Sequence, residues 1–239
     1  VFWWFIKMGT ALASLVAGAL IVFTMFDQTQ VTKVDSLQGS IRELRSDIKY
    51  WQGDQGMAGT KTTLFQNTQK KISEAIDDSK LYIKVLEKES VKKQDEAYQN
   101  VPEYKKQRQE KLAEVIRVTK NNISALEILS AQLQKTGEKN TDSLTKTIVK
   151  SAIPLILQPK FEKARLNSFE LLAHLNGKSL ETAKSKEHFK RIIQNSEAVD
   201  KQLANINTGL PQGQLDKQLG AIETQTVQLT IQSPYTLLM

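Results

Sequence analysis

Apolar residues recur at alternating intervals of three and four along most of this chain, and that spacing predicts helices. Val34, Leu37, Ile41, Leu44, Ile48 and Trp51 form such a seam. A second series, Phe65, Ile72, Ile76, Ser79, Ile83 and Leu86, predicts a helix over 62–99. Leu112, Ile116, Thr119, Ile123, Leu126, Ser130 and Leu133 predict a third over 103–135, ended by Thr136-Gly137-Glu138. A shorter segment is expected over 142–153. The apolar run Ile153-Pro154-Leu155-Ile156-Leu157-Gln158-Pro159 follows it, and two prolines predict a break there, packed across a bundle end or offered to a partner. Helices are then expected over 160–175, stopped by Asn176-Gly177, and over 179–207, with Phe189, Ile192, Ser196, Val199, Leu203 and Ile206 as its seam. Gly209-Leu210-Pro211-Gln212-Gly213 reads as a turn, and Leu215, Leu219 and Ile222 mark a last amphipathic piece over 214–228. The tail 229–239 reads as irregular or as a short strand.

The beginning of the chain breaks this rhythm. Of its first 26 residues 20 are apolar, and the run from Phe2 to Phe26 is interrupted by one charge, Lys7. As a helix it rises about 37 Å against a hydrocarbon core of about 30 Å. Trp3 and Trp4 precede it as an interfacial belt, with Lys7 near enough to the end to snorkel. A cleaved signal peptide would have a shorter apolar core. Two rows of small residues, Gly9, Ala13, Ala17 and Thr10, Ser14, Gly18, share one face, where they allow close helix approach in lipid. No Asp, Glu or Arg lies in the run, so no proton path is expected through it.

The expected architecture is therefore all-α. A single transmembrane anchor (1–26) continues into a coiled-coil stalk (27–52), followed by an elongated antiparallel helical bundle (53–228) and an irregular tail (229–239). Gly39 weakens the stalk by about 1 kcal/mol relative to alanine. Its seam, placed beside an anchor, is expected to need a partner.

Composition narrows the chemistry. The chain has 239 residues, no cysteine and two histidines. Disulfide scaffolds, thiol nucleophiles and zinc sites built on cysteine or several histidines are excluded. His174 and His188 read as packing or surface residues. No phosphate loop or dinucleotide fingerprint occurs. The net charge of +7 is densest around Lys105, Lys106, Arg108 and Lys111, a candidate basic contact face. Acidic residues are interleaved there and aromatics are scarce, which disfavours nucleic acid; a solubilising helix face is the first reading, with an anionic membrane or an acidic partner as the functional alternatives. Asn122-Ile123-Ser124 matches the glycosylation pattern but falls inside a helix.

The expected function is a non-enzymatic, membrane-anchored structural or assembly subunit of a membrane or envelope complex. No catalytic, metal or cofactor site is expected. Its partners are the lipid bilayer, other transmembrane helices, and further copies or subunits. Its place is a single-pass position in a bacterial inner membrane, with the bundle on the periplasmic side. A sensor domain and a helical pore-forming toxin are the alternatives.

Overall fold

A computed structural model describes residues 31–52, 61–91, 102–139, 142–176 and 183–231. All five stretches are helical apart from one turn, and they form a single bundle of six helices. These are α1 (31–52), α2 (Lys61–Val91), α3 (Pro102–Lys139), α4 (Asp142–Asn176), α5 (Ala183–Ala204) and α6 (Gln212–Ile231).

Cross-helix pairs fix the directions. On α1 and α4, Lys33 meets Glu170 while Asp47 meets Lys160, so these helices are antiparallel. On α1 and α6, Gln38 bonds the Thr226 carbonyl while Arg45 meets Asp216, and these are antiparallel too. Arg108 meets Glu170 and Asn122 meets Leu155, which sets α3 against α4 in the same sense. The helices therefore run alternately up and down. α4 packs against α2, α3 and α5 and is ion-paired to α1, which makes it the central helix.

The core explains the seams. Val34, Leu37, Ile41, Leu44, Ile48 and Trp51 are all at most 3% exposed. They share one hydrophobic cluster with Phe161 and Ala164 of α4, Val199 and Leu203 of α5, and Leu215 and Leu219 of α6. The seam expected to await a partner is filled within the chain, so α1 is a bundle helix. A smaller cluster, Leu86, Leu112, Val115 and Leu166, closes α2, α3 and α4 near the opposite end of α2.

Three boundaries differ from the sequence reading. First, the segments expected as two helices around a proline break are one helix of 35 residues, with Pro154 and Pro159 inside it. Ile153, Ile156 and Leu157 are buried, so the run between the prolines serves the chain's own core and presents no apolar loop. A helix enclosed by neighbours on several sides gains enough burial to offset two missing backbone donors. Second, α3 continues through Gly137 to Lys139, because a single glycine costs a helix only about 1 kcal/mol. Third, the expected irregular tail begins too early. Leu229 is helical and 1% exposed, at the end of the α6 seam.

The α5–α6 turn behaves as its residues predict. The Gly209 amide bonds the Asn207 side chain at 2.9 Å. The Pro211 carbonyl accepts from Gln214 and Leu215 at 2.9 and 3.1 Å and starts α6. The expected anchor over 1–26 lies outside the described residues. Among those described, no helix is long and apolar enough to cross a membrane.

Candidate functional site

The α1–α2–α4 junction forms a groove of about 290 Å³ beside Pro159. Its apolar floor includes Trp51, Ile156 and Ala75, with Tyr50 and Tyr82 at its sides. The two rings Tyr50 and Trp51 meet edge to face at 5.3 Å. Charged residues line the rest, and they arise from simple helical spacing. Glu43 and Asp47 are one turn apart on α1, and Lys160 and Lys163 are one turn apart on α4.

Asp78 apart, these charges are spent on one another. Lys160 donates to Asp47 and lies 3.2 Å from Glu43, and Lys163 meets Glu43 at 3.2 Å. Lys71 bonds Glu74 at 2.8 Å and sits 5.2 Å from the centre of the Tyr50 ring. Burial alone would raise the Glu43 pKa, but Lys160 and Lys163 outweigh it and hold the carboxyl below its ordinary range. Burial likewise opposes the charge on Lys160, yet Asp47 and Glu43 keep it more firmly protonated. Burial, reinforced by Glu170 and Glu89, pushes the Tyr82 hydroxyl well above its usual value. Glu43 is thus held charged, Lys160 charged and Tyr82 neutral near neutral pH. The arrangement fastens three helices.

A second knot joins α1 to α6. Arg45 bonds Asp216 at 2.9 Å and also donates to Glu223, which Arg42 meets at 3.2 Å. The Arg45 guanidinium lies over Gly220, 3.4 Å from where a β-carbon would stand. The bond from Arg45 holds the Asp216 pKa down. For Glu223, burial works in the raising direction and the two arginines overcome it.

These shifts set a pH dependence. A carboxylate with a lowered folded-state pKa contributes stability above its unfolded pKa and loses it as pH falls through the folded one. The ordinary values here are 3.8 for Asp216 and 4.5 for Glu43 and Glu223. The thermal midpoint is expected to hold between about pH 7 and 5 and to fall steadily below about pH 4. Glu43→Gln should flatten that fall, as followed by circular dichroism. A midpoint that rises on acidification contradicts the assignment.

Elsewhere, the sequence-derived residues scatter. Gly9, Thr10, Ala13, Ser14, Ala17 and Gly18, with Trp3, Trp4 and Lys7, lie outside the described residues. Of the candidate basic face, Lys105 and Lys106 are exposed, and Lys111 pairs with Glu114 at 3.6 Å. Arg108 turns inward instead, to Glu170 at 2.8 Å and Glu89 at 3.4 Å. His174 is 7% exposed, and Asn122 is 5% exposed and so shielded from modification in the folded chain. Among the described residues no group of His, Cys, Asp or Glu has metal-binding geometry. The groove itself has no separate signature in the sequence. Its signal, opposite charges flanking heptad seams, shows only once α1 and α4 are known to be neighbours. Comparison of this chain with protein families, with curated proteins and with solved structures finds no match.

Proposed function

We propose that this chain is a non-enzymatic structural or assembly subunit. In this reading, residues 1–26 anchor a helical bundle to a membrane, with the bundle on the periplasmic side of a bacterial inner membrane. One observation carries the reading. At most residues 27–30 lie between the apolar segment and the described part of α1, which is a core helix of the bundle. Four residues span at most about 14 Å. An anchor joined so closely to a core helix transmits position and load to the whole bundle. A flexible tether would not.

The internally satisfied charges around Lys160 and Arg45 suit the same role, since they stiffen the bundle. Association with other subunits then falls to the small-residue face of the anchor (Gly9, Ala13, Ala17) and to the outer faces of the bundle.

Extraction and protease protection test this. The protein is expected to stay in the membrane pellet through alkaline carbonate. Added protease is expected to digest the bundle in spheroplasts and to spare it in inverted vesicles. Recovery in the soluble fraction overturns the anchor, and digestion in inverted vesicles overturns the orientation. A ligand-sensing reading has one observation in its favour, the aromatic-sided groove beside Pro159. The mutual pairing of Glu43, Asp47, Lys160 and Lys163 weighs against it.

A further inference from the structure

We propose that the groove between α1, α2 and α4 binds a small organic cation, an ammonium carried on an apolar body, with Asp78 as its counter-ion. Four carboxylates and three lysines line the groove, which leaves one negative charge over. The pairing shows where it resides. Lys160 and Lys163 take Glu43 and Asp47, and Lys71 takes Glu74. Asp78 lines the same groove, is exposed to solvent, and makes no ion pair among the described residues.

Tyr82 stands one helical turn beyond Asp78 on α2 and borders the groove with a half-buried ring. A carboxylate and an aromatic ring are the two groups that hold an ammonium, the first by a charge-assisted hydrogen bond and the second by its face. The chain already uses such a pair on one of its own ammonium groups. Lys71 Nζ bonds Glu74 at 2.8 Å and sits 5.2 Å from the centre of the Tyr50 ring. Asp78 and Tyr82 repeat the pair in the same groove, and among the described residues no lysine or arginine fills it.

The floor sets the rest of the ligand. Trp51, Ile156 and Ala75 are apolar, and a groove of about 290 Å³ holds a body of about ten non-hydrogen atoms. A bare metal ion fits poorly, because one free carboxylate beside an apolar floor cannot replace its hydration shell. An anion would meet the surplus carboxylate, with Lys160 and Lys163 already bound. The ligand also has a structural consequence. The ion pairs Lys80–Glu127, Glu87–Lys120 and Glu89–Arg108 tie α2 to α3. A cation held by Asp78 and lying on Trp51 and Ile156 braces α2 against α1 and α4 as well, so its binding stabilises the bundle by mass action. The proposal rests on the groove and not on the anchor reading, and it assigns no signalling step to the ligand.

Trp51 serves as the reporter. In the full chain held in detergent, Trp3→Phe/Trp4→Phe leaves it as the one tryptophan. Phenethylammonium at pH 7 is the probe, and 2-phenylethanol is its neutral counterpart. Trp51 fluorescence is expected to respond saturably to phenethylammonium with a midpoint of about 1–10 mM, and the thermal midpoint to rise over the same range. Asp78→Asn should weaken binding by about tenfold or more, and Tyr82→Leu by about threefold. Asp77→Asn, one residue away and outside the groove, should leave it unchanged, with the helical circular dichroism of all three variants preserved. The absence of a saturable response to phenethylammonium overturns the proposal. So does an equal response to 2-phenylethanol, or equal losses from Asp77→Asn and Asp78→Asn. None of these readouts depends on whether the chain stays in the membrane pellet, so failure here leaves the anchor reading standing.

Discussion

Leu44→Ala is expected to lower the unfolding free energy by about 2–5 kcal/mol, the range for truncating a fully buried leucine. Leu44 is 0% exposed and lies in the main hydrophobic cluster, whose members come from α1, α2, α3, α4, α5 and α6. For a chain of this length, each kcal/mol moves the thermal midpoint by roughly 2–4 °C, so the shift is easily read. The exposed Ser46, half a turn away on α1, supplies the control: Ser46→Ala should change stability by less than about 0.5 kcal/mol. The decisive feature is concentration. A seam closed within the chain gives the same loss at every protein concentration. A seam closed between chains makes the midpoint rise with concentration, by mass action. A concentration-dependent midpoint, or a loss no larger than that of Ser46→Ala, would sink the assignment of α1 to the chain's own core.

The same seam shows what the sequence makes legible. Six residues at heptad spacing announce a buried helix face, and all six are buried. Their spacing says nothing of what covers them, because a partner chain and a neighbouring helix impose the same period. The narrow seams of α2, α3, α5 and α6 were readable for the same reason, buried Ser79, Thr119 and Ser196 included. α4 was not. Its apolar residues spread over a wide arc, as befits a central helix, so no single stripe stands out against Pro154 and Pro159. The groove shared this obscurity. Glu43, Asp47, Lys160 and Lys163 look like ordinary solvated helix charges until the antiparallel register of α1 and α4 sets them together.

Asn122 and Pro159 are expected to be energetically coupled, by about 1 kcal/mol or more in a double-mutant cycle. Proline has no amide hydrogen, so Pro159 cannot donate to the carbonyl four residues back, that of Leu155. That carbonyl faces α3, where Asn122 donates its side-chain amide to it at 2.8 Å. The carbonyl freed by the other proline belongs to Lys150, an exposed residue with access to water. The interior of the bundle therefore repairs one proline with a side chain and leaves the other to solvent. Asn122→Ala should strand the Leu155 carbonyl at a cost of about 1–3 kcal/mol, measured by urea denaturation. Pro159→Ala restores a backbone donor, so the same Asn122→Ala change should then cost much less. It could even stabilise the chain, because the Asn122 carbonyl oxygen is itself buried without a partner among the described residues. Strict additivity, within about 0.3–0.5 kcal/mol, would mean that Asn122 fills space and does not compensate the proline. Pro159 also borders the groove, and the next residue, Lys160, binds Glu43 and Asp47. A changed helix path at Pro159→Ala would shift Lys160 relative to α1, so this variant should also lose part of the pH dependence that Glu43 contributes.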